Sequence, residues 1–370
     1  MKIIILTLPL HTNYGGILQC YALQSVLQGM GNCVRILSRP RYRRLFYIMK
    51  PLAICKRFFR HFVLREDISI LKAPHEIVSE KIDLFIDRYI NKYIRRVWNN
   101  KIAEDFDAMV VGSDQIWRLK YFNDIEYAFL SFLEGSDIKR IAYAASFGVD
   151  SLDYNESQLE NCARLLKQFD TVSVRENSGI RICKDYFKVD AVQMLDPTLL
   201  LTADDYRKLI EKAVTLPCKG NLLVYLLDAT EEKRNIVDVL AHDKGLTPFY
   251  INDNVSISKS LKPQPKISVE QWLHSFDNAD FVLTDSFHGC IFSIIFKKQF
   301  IAIANENRGL GRFLSLFDLF SLNNRLIFSY SDYRKKQSVL EEKIDYNKID
   351  EILVKQRIRA YEYIKLSLRL

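Results

Sequence analysis

Residues 2–29, KIIILTLPLHTNYGGILQCYALQSVLQG, run from an apolar stretch through a glycine-containing turn into a segment with helical spacing. That unit recurs along the chain, and its recurrence is the strongest constraint on the fold. Strands are predicted at 2–7, 33–37, 107–112, 139–145, 171–174, 221–227, 247–251, 280–284 and 299–303. Helical patterns lie near 16–29, 76–91, 156–168, 177–186, 203–213, 231–243, 268–277, 289–296 and 309–320. Short continuous apolar strands alternating with helices predict an α/β protein with parallel sheets covered on both faces. The series breaks after QMLDPTLLL, residues 193–201, and restarts at Asn221. The expectation is two doubly wound, Rossmann-like domains facing across a cleft, residues 1–201 and 202–370. A length of 370 residues suits two cores. The final segment, 346–370, has helical spacing and is expected to pack back on the first domain.

Open parallel sheets bind ligands beyond the carboxyl ends of their strands. Four such ends are rich in small and polar residues: HTNYGG after 2–7, GSDQIW after 107–111, ASFG after 139–145 and TDSFHG after 280–283. In the first, Asn13, Tyr14, Gly15 and Gly16 open a helix, and paired glycines allow close approach of another group. A helix N-terminus there offers free N–H groups to an anion, although many strands simply turn into helices this way. Asp114, beside Ser113, either caps a helix or receives protons from a substrate hydroxyl. Ser146 lies in the third stretch. In the fourth, Thr284, Asp285 and Ser286 can cap the next helix, with His288 a structural histidine. Placed in a first turn facing the cleft, that imidazole can equally bind an anion or donate a proton near neutral pH. Arg175, in SVRENSG, is shaped for a carboxylate or phosphate, or for a surface pair with Glu176. Arg308 and Arg312, in NRGLGRF, are further cationic candidates.

Seven scattered cysteines, with no C-x-x-C pair, argue for reduced thiols in a cytosolic protein and against a disulfide frame or zinc site. The apolar run 3–10 is short, contains Pro9 and lacks a small-residue cleavage pattern, so it reads as a strand and not an export signal. No segment is long and apolar enough to span a bilayer. Residues 1–65 carry eleven Lys or Arg and no Asp or Glu, within a net charge of +8. The excess is therefore local, and it points to a localised anionic partner. It is densest in the insertion 39–65, where cations interleave with Leu45, Phe46, Phe58, Phe59 and Phe62. That segment is either a solvated helical insertion or an interfacial element on an anionic membrane. Walker A, H-E-x-x-H and G-x-G-x-x-G motifs are missing. Asp105–Phe106–Asp107 matches a metal-binding D-x-D but falls at the wrong end of its strand, so no obligatory metal is expected.

Taken in order, NYGGILQCYALQ, VVGSDQIW, AASFG, SVREN, LDPTLLL and TDSFHG resemble the polysaccharide pyruvyl transferase family across roughly residues 2–325. The resemblance implies a GT-B-like pair of domains. It also implies transfer of the enolpyruvyl carbon of phosphoenolpyruvate to a sugar of a cell-surface polysaccharide or its precursor, leaving a pyruvate ketal. His288 and Arg175 would then contact the donor anion, and Asp114 would lie near the reacting centre as base or hydroxyl orienter. Asn13, Tyr14, Gly15, Gly16, Ser113, Ser146, Asp285, Ser286, Arg308 and Arg312 would line the substrate. Phosphoenolpyruvate would be a substrate, and no other cofactor or nucleic-acid partner is implied. Some members carry an arginine two places before the histidine, where this chain has Ser286. Arg308 or Arg312 would then supply the missing charge. Two alternatives remain at this point: a GT-B glycosyltransferase using a nucleotide sugar, and a non-catalytic, membrane-associated glycolipid-binding protein.

Overall fold

The computed structural model describes residues 1–39, 55–56, 58–59, 74–122, 124–251, 265–305 and 308–369. Most of the basic insertion 39–65, including Arg41, Arg43, Arg44, Arg57 and Arg60, lies outside them. Seven strands form the first sheet: β1 (Lys2–Leu6), β2 (Cys33–Ser38), β3 (Lys92–Ile94), β4 (Ala108–Val111), β5 (Lys139–Ala145), β6 (Thr171–Val174) and β7 (Val192–Gln193). Their order is β3-β2-β1-β4-β5-β6-β7, and every pair is parallel. Five strands form the second sheet: β8 (Leu222–Tyr225), β9 (Pro248–Tyr250), β10 (Phe281–Thr284), β11 (Gln299–Ile303) and β12 (Leu326–Ile327), in the order β12-β11-β10-β8-β9, again all parallel.

All nine strands expected from the sequence are present. The three it missed, β3, β7 and β12, are edge strands of two or three residues, too short to show a period. Among the described residues, helices of eight residues or more are α1 (Tyr14–Gly29), α2 (Pro74–Tyr89), α3 (Glu156–Leu166), α4 (Ala203–Ile210), α5 (Glu231–Lys244), α6 (Val269–Asn278), α7 (Phe287–Ile295), α8 (Leu310–Phe320), α9 (Tyr330–Glu341) and α10 (Tyr346–Leu368). Their starts carry the expected chemistry. Asn155 and Thr202 close capping boxes, and Thr230, Ser268 and Ser286 each accept a backbone N–H of the first turn.

Central strands are buried on both faces, and alternate residues enter different layers. Ile3 and Ile5 of β1 join a core shared with Leu223 and Val282 of the second sheet, whereas Ile4 and Leu6 pack into a separate layer on the opposite face of the first sheet. A third layer, built on Leu222, Val224 and Leu283, covers the opposite face of the second sheet. The shared core keeps the two carboxyl ends in fixed relation. In each sheet the strand order reverses once, between β1 and β4 and between β8 and β10, which creates the crevice where such folds hold ligands.

The last helix straps the two halves together. Near its start, the Tyr346 hydroxyl donates to Ser293 O of α7 at 3.2 Å. Midway, Arg357 donates through Nε to Leu199 O and through Nη2 to Leu201 O, both at 2.7 Å, fixing the segment between the sheets. Near its end, the Tyr363 hydroxyl donates to Ala142 O of β5 at 3.0 Å. No described helix is long and apolar enough to cross a membrane. Two charge-assisted bonds to partly buried carbonyls make Arg357 a stability residue. Arg357→Ala should lower the free energy of urea unfolding by ~2 kcal/mol, with the far-ultraviolet spectrum unchanged.

Candidate active site

The turn after β1 shows what its two glycines are for. Asn13 is extended and makes no cap with its side chain; its Nδ2 instead donates to Asp114 Oδ2 at 3.4 Å. A Cβ on Gly15 would stand 2.1 Å from His288 Nδ1. One on Gly16 would stand 3.2 Å from Asp114 Oδ2. The first turn of α1 is therefore bare so that an imidazole from the second sheet and a carboxylate from β4 can lie against it.

Asp114 holds a left-handed backbone conformation, φ 64°, which a short polar side chain tolerates better than most. Its neighbours stitch this turn to the next. Ser113 N donates to Gln19 Oε1 and Ser113 Oγ to Ala144 O, while Ser146 N donates to Asp114 O. The pairing of β5 with β6 shifts register between Ala142 and Ala145, just before that contact. The Ser146 hydroxyl then donates to Glu176 Oε1, which also accepts from Phe147 N and Gly148 N.

Five ionisable side chains converge on the cleft, each at most 6% exposed. Arg175, at the end of β6, donates through Nη1 to Asp196 Oδ2 at 2.7 Å and through Nη2 to Asp114 Oδ1 at 3.3 Å. His288 Nε2 stands 3.6 Å from Asp196 Oδ2, too far for a hydrogen bond. Arg312 of α8 brings Nη1 to 4.0 Å from Asp114 Oδ1. Phe287 carries both guanidiniums over its ring, Arg175 at 4.7 Å and Arg312 at 5.0 Å from the centroid. Burial pushes the Asp114 carboxyl up, but the charges of Arg175, His288 and Arg312 outweigh it and hold the group below its usual range. Asp196 is also pushed up by burial, and His288, Arg175 and Thr198 bring it well below that range. Both carboxyls are thus ionised at neutral pH. Arg312 is lowered to about 10, first by burial and then by the like charge of Arg175.

Among the described residues, three buried nitrogens in this cluster lack a hydrogen-bond partner: His288 Nε2, Arg312 Nε and Arg175 Nε. Native interiors seldom leave such groups unpaired unless a ligand or water completes them. Asp114 offers an ionised acceptor beside them. The arrangement can bind a small anion, orient a hydroxyl and move a proton.

The remaining candidates fall elsewhere. Asp285, fully buried at the crevice of the second sheet, accepts from Leu227 N at 2.6 Å, Asp228 N at 3.1 Å and Lys233 Nζ at 2.6 Å. Arg308 donates through Nε and Nη2 to Asp228, at 2.6 and 2.8 Å, and so joins this second network. Ser286 caps α7. Tyr14 stacks on Trp272, with centroids 5.5 Å apart, and donates to Ile267 O, joining α1 to α6. Sequence reasoning assigned no role to Asp196, Phe287 or Asp228. The Asp–Pro step after a strand was a signal for Asp196, but β7 is too short to mark as a strand.

The ionised pair has a consequence for acid stability. A carboxyl held lower in the folded chain adds stability above its unfolded value near pH 4, and that stability drains away as pH falls toward the folded value. The thermal midpoint should therefore fall steeply below about pH 4. Asp196→Ala leaves Arg175 with a broken buried pair; it should cost about 3–5 kcal/mol at pH 7 and flatten the acid limb of the melting profile.

Comparison with known proteins fits this geometry. No curated protein sequence matches the chain. UGT89C1 from Arabidopsis thaliana, complexed with UDP-L-rhamnose, superposes with a TM-score of 0.52 at 7% identity, over 100% of this chain and 99% of that one. UDP-GlcNAc 2-epimerase from Neisseria meningitidis, bound to UDP-GlcNAc, gives 0.50 at 11% identity, over 100% and 99%. Such likeness is one of fold, the two facing Rossmann-like domains of the GT-B class. The family model for polysaccharide pyruvyl transferase matches residues 13–307, from the Asn13 turn to just beyond β11. The chain belongs to the polysaccharide pyruvyl transferase family.

Proposed function

We propose that the chain transfers the enolpyruvyl group of phosphoenolpyruvate to a saccharide used in cell-surface polysaccharide assembly, forming a pyruvate ketal and releasing phosphate. Family membership supports the reaction class. The observation that carries the site assignment is the pair of unpartnered nitrogens, His288 Nε2 and Arg312 Nε, buried beside the ionised Asp114. His288 delivers a proton to the terminal methylene of the donor, and positive charge develops at its central carbon. A sugar hydroxyl adds there, passing its proton toward Asp114. A carboxyl held low is a weak base, but a hydroxyl becomes strongly acidic as it bonds to an oxocarbenium carbon, so orientation is the larger need. The carbon–oxygen bond to phosphate breaks with its electron pair on phosphate. The second hydroxyl then closes the ketal and gives up its proton. Arg312 stabilises the departing anion, and Arg175, whose terminal nitrogens hold Asp114 and Asp196, positions the carboxylates.

A nucleotide-sugar donor is the competing reading on this fold, since the two structural neighbours hold UDP-sugars. The crevice of the second sheet weighs against it. The groups that would hold a diphosphate there, Leu227 N, Asp228 N and Lys233 Nζ, are engaged by the chain's own Asp285 carboxylate. No metal enters the proposal. Asp107 lies at the other end of β4 and accepts from Lys2 N, while Asp105 binds Tyr93 and Arg95.

The test is incubation with phosphoenolpyruvate and a panel of saccharides, followed by phosphate release and by the mass of a ketal on the sugar. Turnover should persist in EDTA. His288→Gln and Arg312→Lys should each lower kcat by ~10²–10³ without shifting the melting midpoint by more than a few degrees. Gly15→Ala, whose new Cβ would meet the His288 ring, should cost ~10² by displacing the imidazole. Turnover with a UDP-sugar and none with phosphoenolpyruvate would overturn the proposal.

A further inference from the structure

A well-formed hollow in the first domain lies beside the reacting cluster, not in it. A cavity of about 490 Å³ opens at the carboxyl ends of β1, β2 and β3, a size that suits one or two sugar residues. Its walls combine two kinds of surface. Trp98, Tyr121 and Phe122 supply aromatic faces, against which the C–H faces of a sugar pack. Arg39, Lys92 and His11 supply cationic or N–H groups, against a single carboxylate among the described residues, Asp124. Lys92 pairs with Asp87. The Arg39 guanidinium lies 4.4 Å over the Trp98 ring and 5.6 Å from that of Tyr127, and among the described residues it pairs with no carboxylate. Trp98 is 8% exposed, and its buried indole N–H has no hydrogen-bond partner among the described residues. One wall, Thr7 to His11, runs directly into the Asn13–Gly16 turn against which Asp114 and His288 lie.

We propose that this cavity seats the acceptor, and that the acceptor carries an anionic group, a phosphate or a sugar carboxylate, held by Arg39 while a neighbouring sugar ring packs on Trp98. The proposal rests on the pyruvyl-transfer reading for the acceptor's fate, though not for its binding. Residues 1–39, which supply the β1 and β2 side of the wall, contain no acidic residue. Neutral sugars would find the aromatic surface but leave the guanidinium unused.

The experiment is a tryptophan-fluorescence titration of the full chain, without donor, using lactose, lactose 1-phosphate and a glucuronate-terminated disaccharide. The chain has three tryptophans, and Trp117 and Trp272 are fully buried, so quenching should come from Trp98. At least one anionic sugar should quench saturably and bind at least roughly tenfold tighter than lactose, the worth of one charge-assisted hydrogen bond. The two anionic probes distinguish a phosphate from a carboxylate. Arg39→Gln should remove that advantage while leaving lactose unchanged, and Trp98→Phe should abolish the quench. Arg39 is exposed, so its variant should fold normally. Equal binding of neutral and anionic sugars, quenching by none of the three, an unchanged affinity in Arg39→Gln, or a quench that survives Trp98→Phe would each overturn the proposal. A sugar that binds in this way but gains no ketal from phosphoenolpyruvate would count against the donor assignment alone.

Discussion

The site depends on one guanidinium. Arg175 reaches from the end of β6 to carboxylates following β4 and β7, and it does so where its side chain is 2% exposed. Burying one cation with two anions is costly unless geometry and further hydrogen bonds compensate. Here Thr198 completes Asp196, Asn13 completes Asp114, and Phe287 presents its ring to the guanidinium. The result is a rigid charged floor spanning three strand ends of the first sheet. His288 and Arg312 descend onto it from the second half of the chain, so the cluster exists only when the two sheets hold their mutual position. The shared apolar core and the strap helix, Tyr346–Leu368, supply that position.

The two crevices of this fold have diverged in their electrostatics. In the first, ionised carboxylates coexist with nitrogens that lack partners, leaving the site ready for a ligand. In the second, the buried Asp285 carboxylate accepts from the surrounding donors, while Asp228 ties down Arg308. The cluster's buried nitrogens without partners among the described residues lie instead where the sheets meet.

Much of this was legible in the sequence, for reasons that differ by element. Apolar runs such as Ile3–Leu6 and Phe281–Thr284 marked central strands because parallel strands buried on both faces need no polar alternation. Gly15, Gly16, Asp114 and His288 were legible as a group because strand ends with small and polar residues recur in open sheets for ligand binding. What stayed hidden was partnership. Arg175 announced a guanidinium at a strand end, but nothing local showed that both of its terminal nitrogens are engaged. Asp196 follows a two-residue edge strand without a period. Arg308 and Arg312, four residues apart, looked equivalent, yet one is committed to Asp228 and the other keeps a buried nitrogen without a partner. Such pairings join residues 21 (Arg175–Asp196), 61 (Arg175–Asp114) and 80 (Arg308–Asp228) positions apart in the chain, beyond any local pattern.

The central claim is that this buried cluster protonates the methylene of phosphoenolpyruvate and captures its central carbon with a sugar hydroxyl. Running the reaction in D₂O and reading the ketal methyl by NMR tests it most directly. The account predicts a methyl carrying one deuterium from solvent, with its formation lost in His288→Gln while the variant still melts like the parent. A ketal methyl without deuterium, or undiminished labelling in the His288 variant, would contradict it.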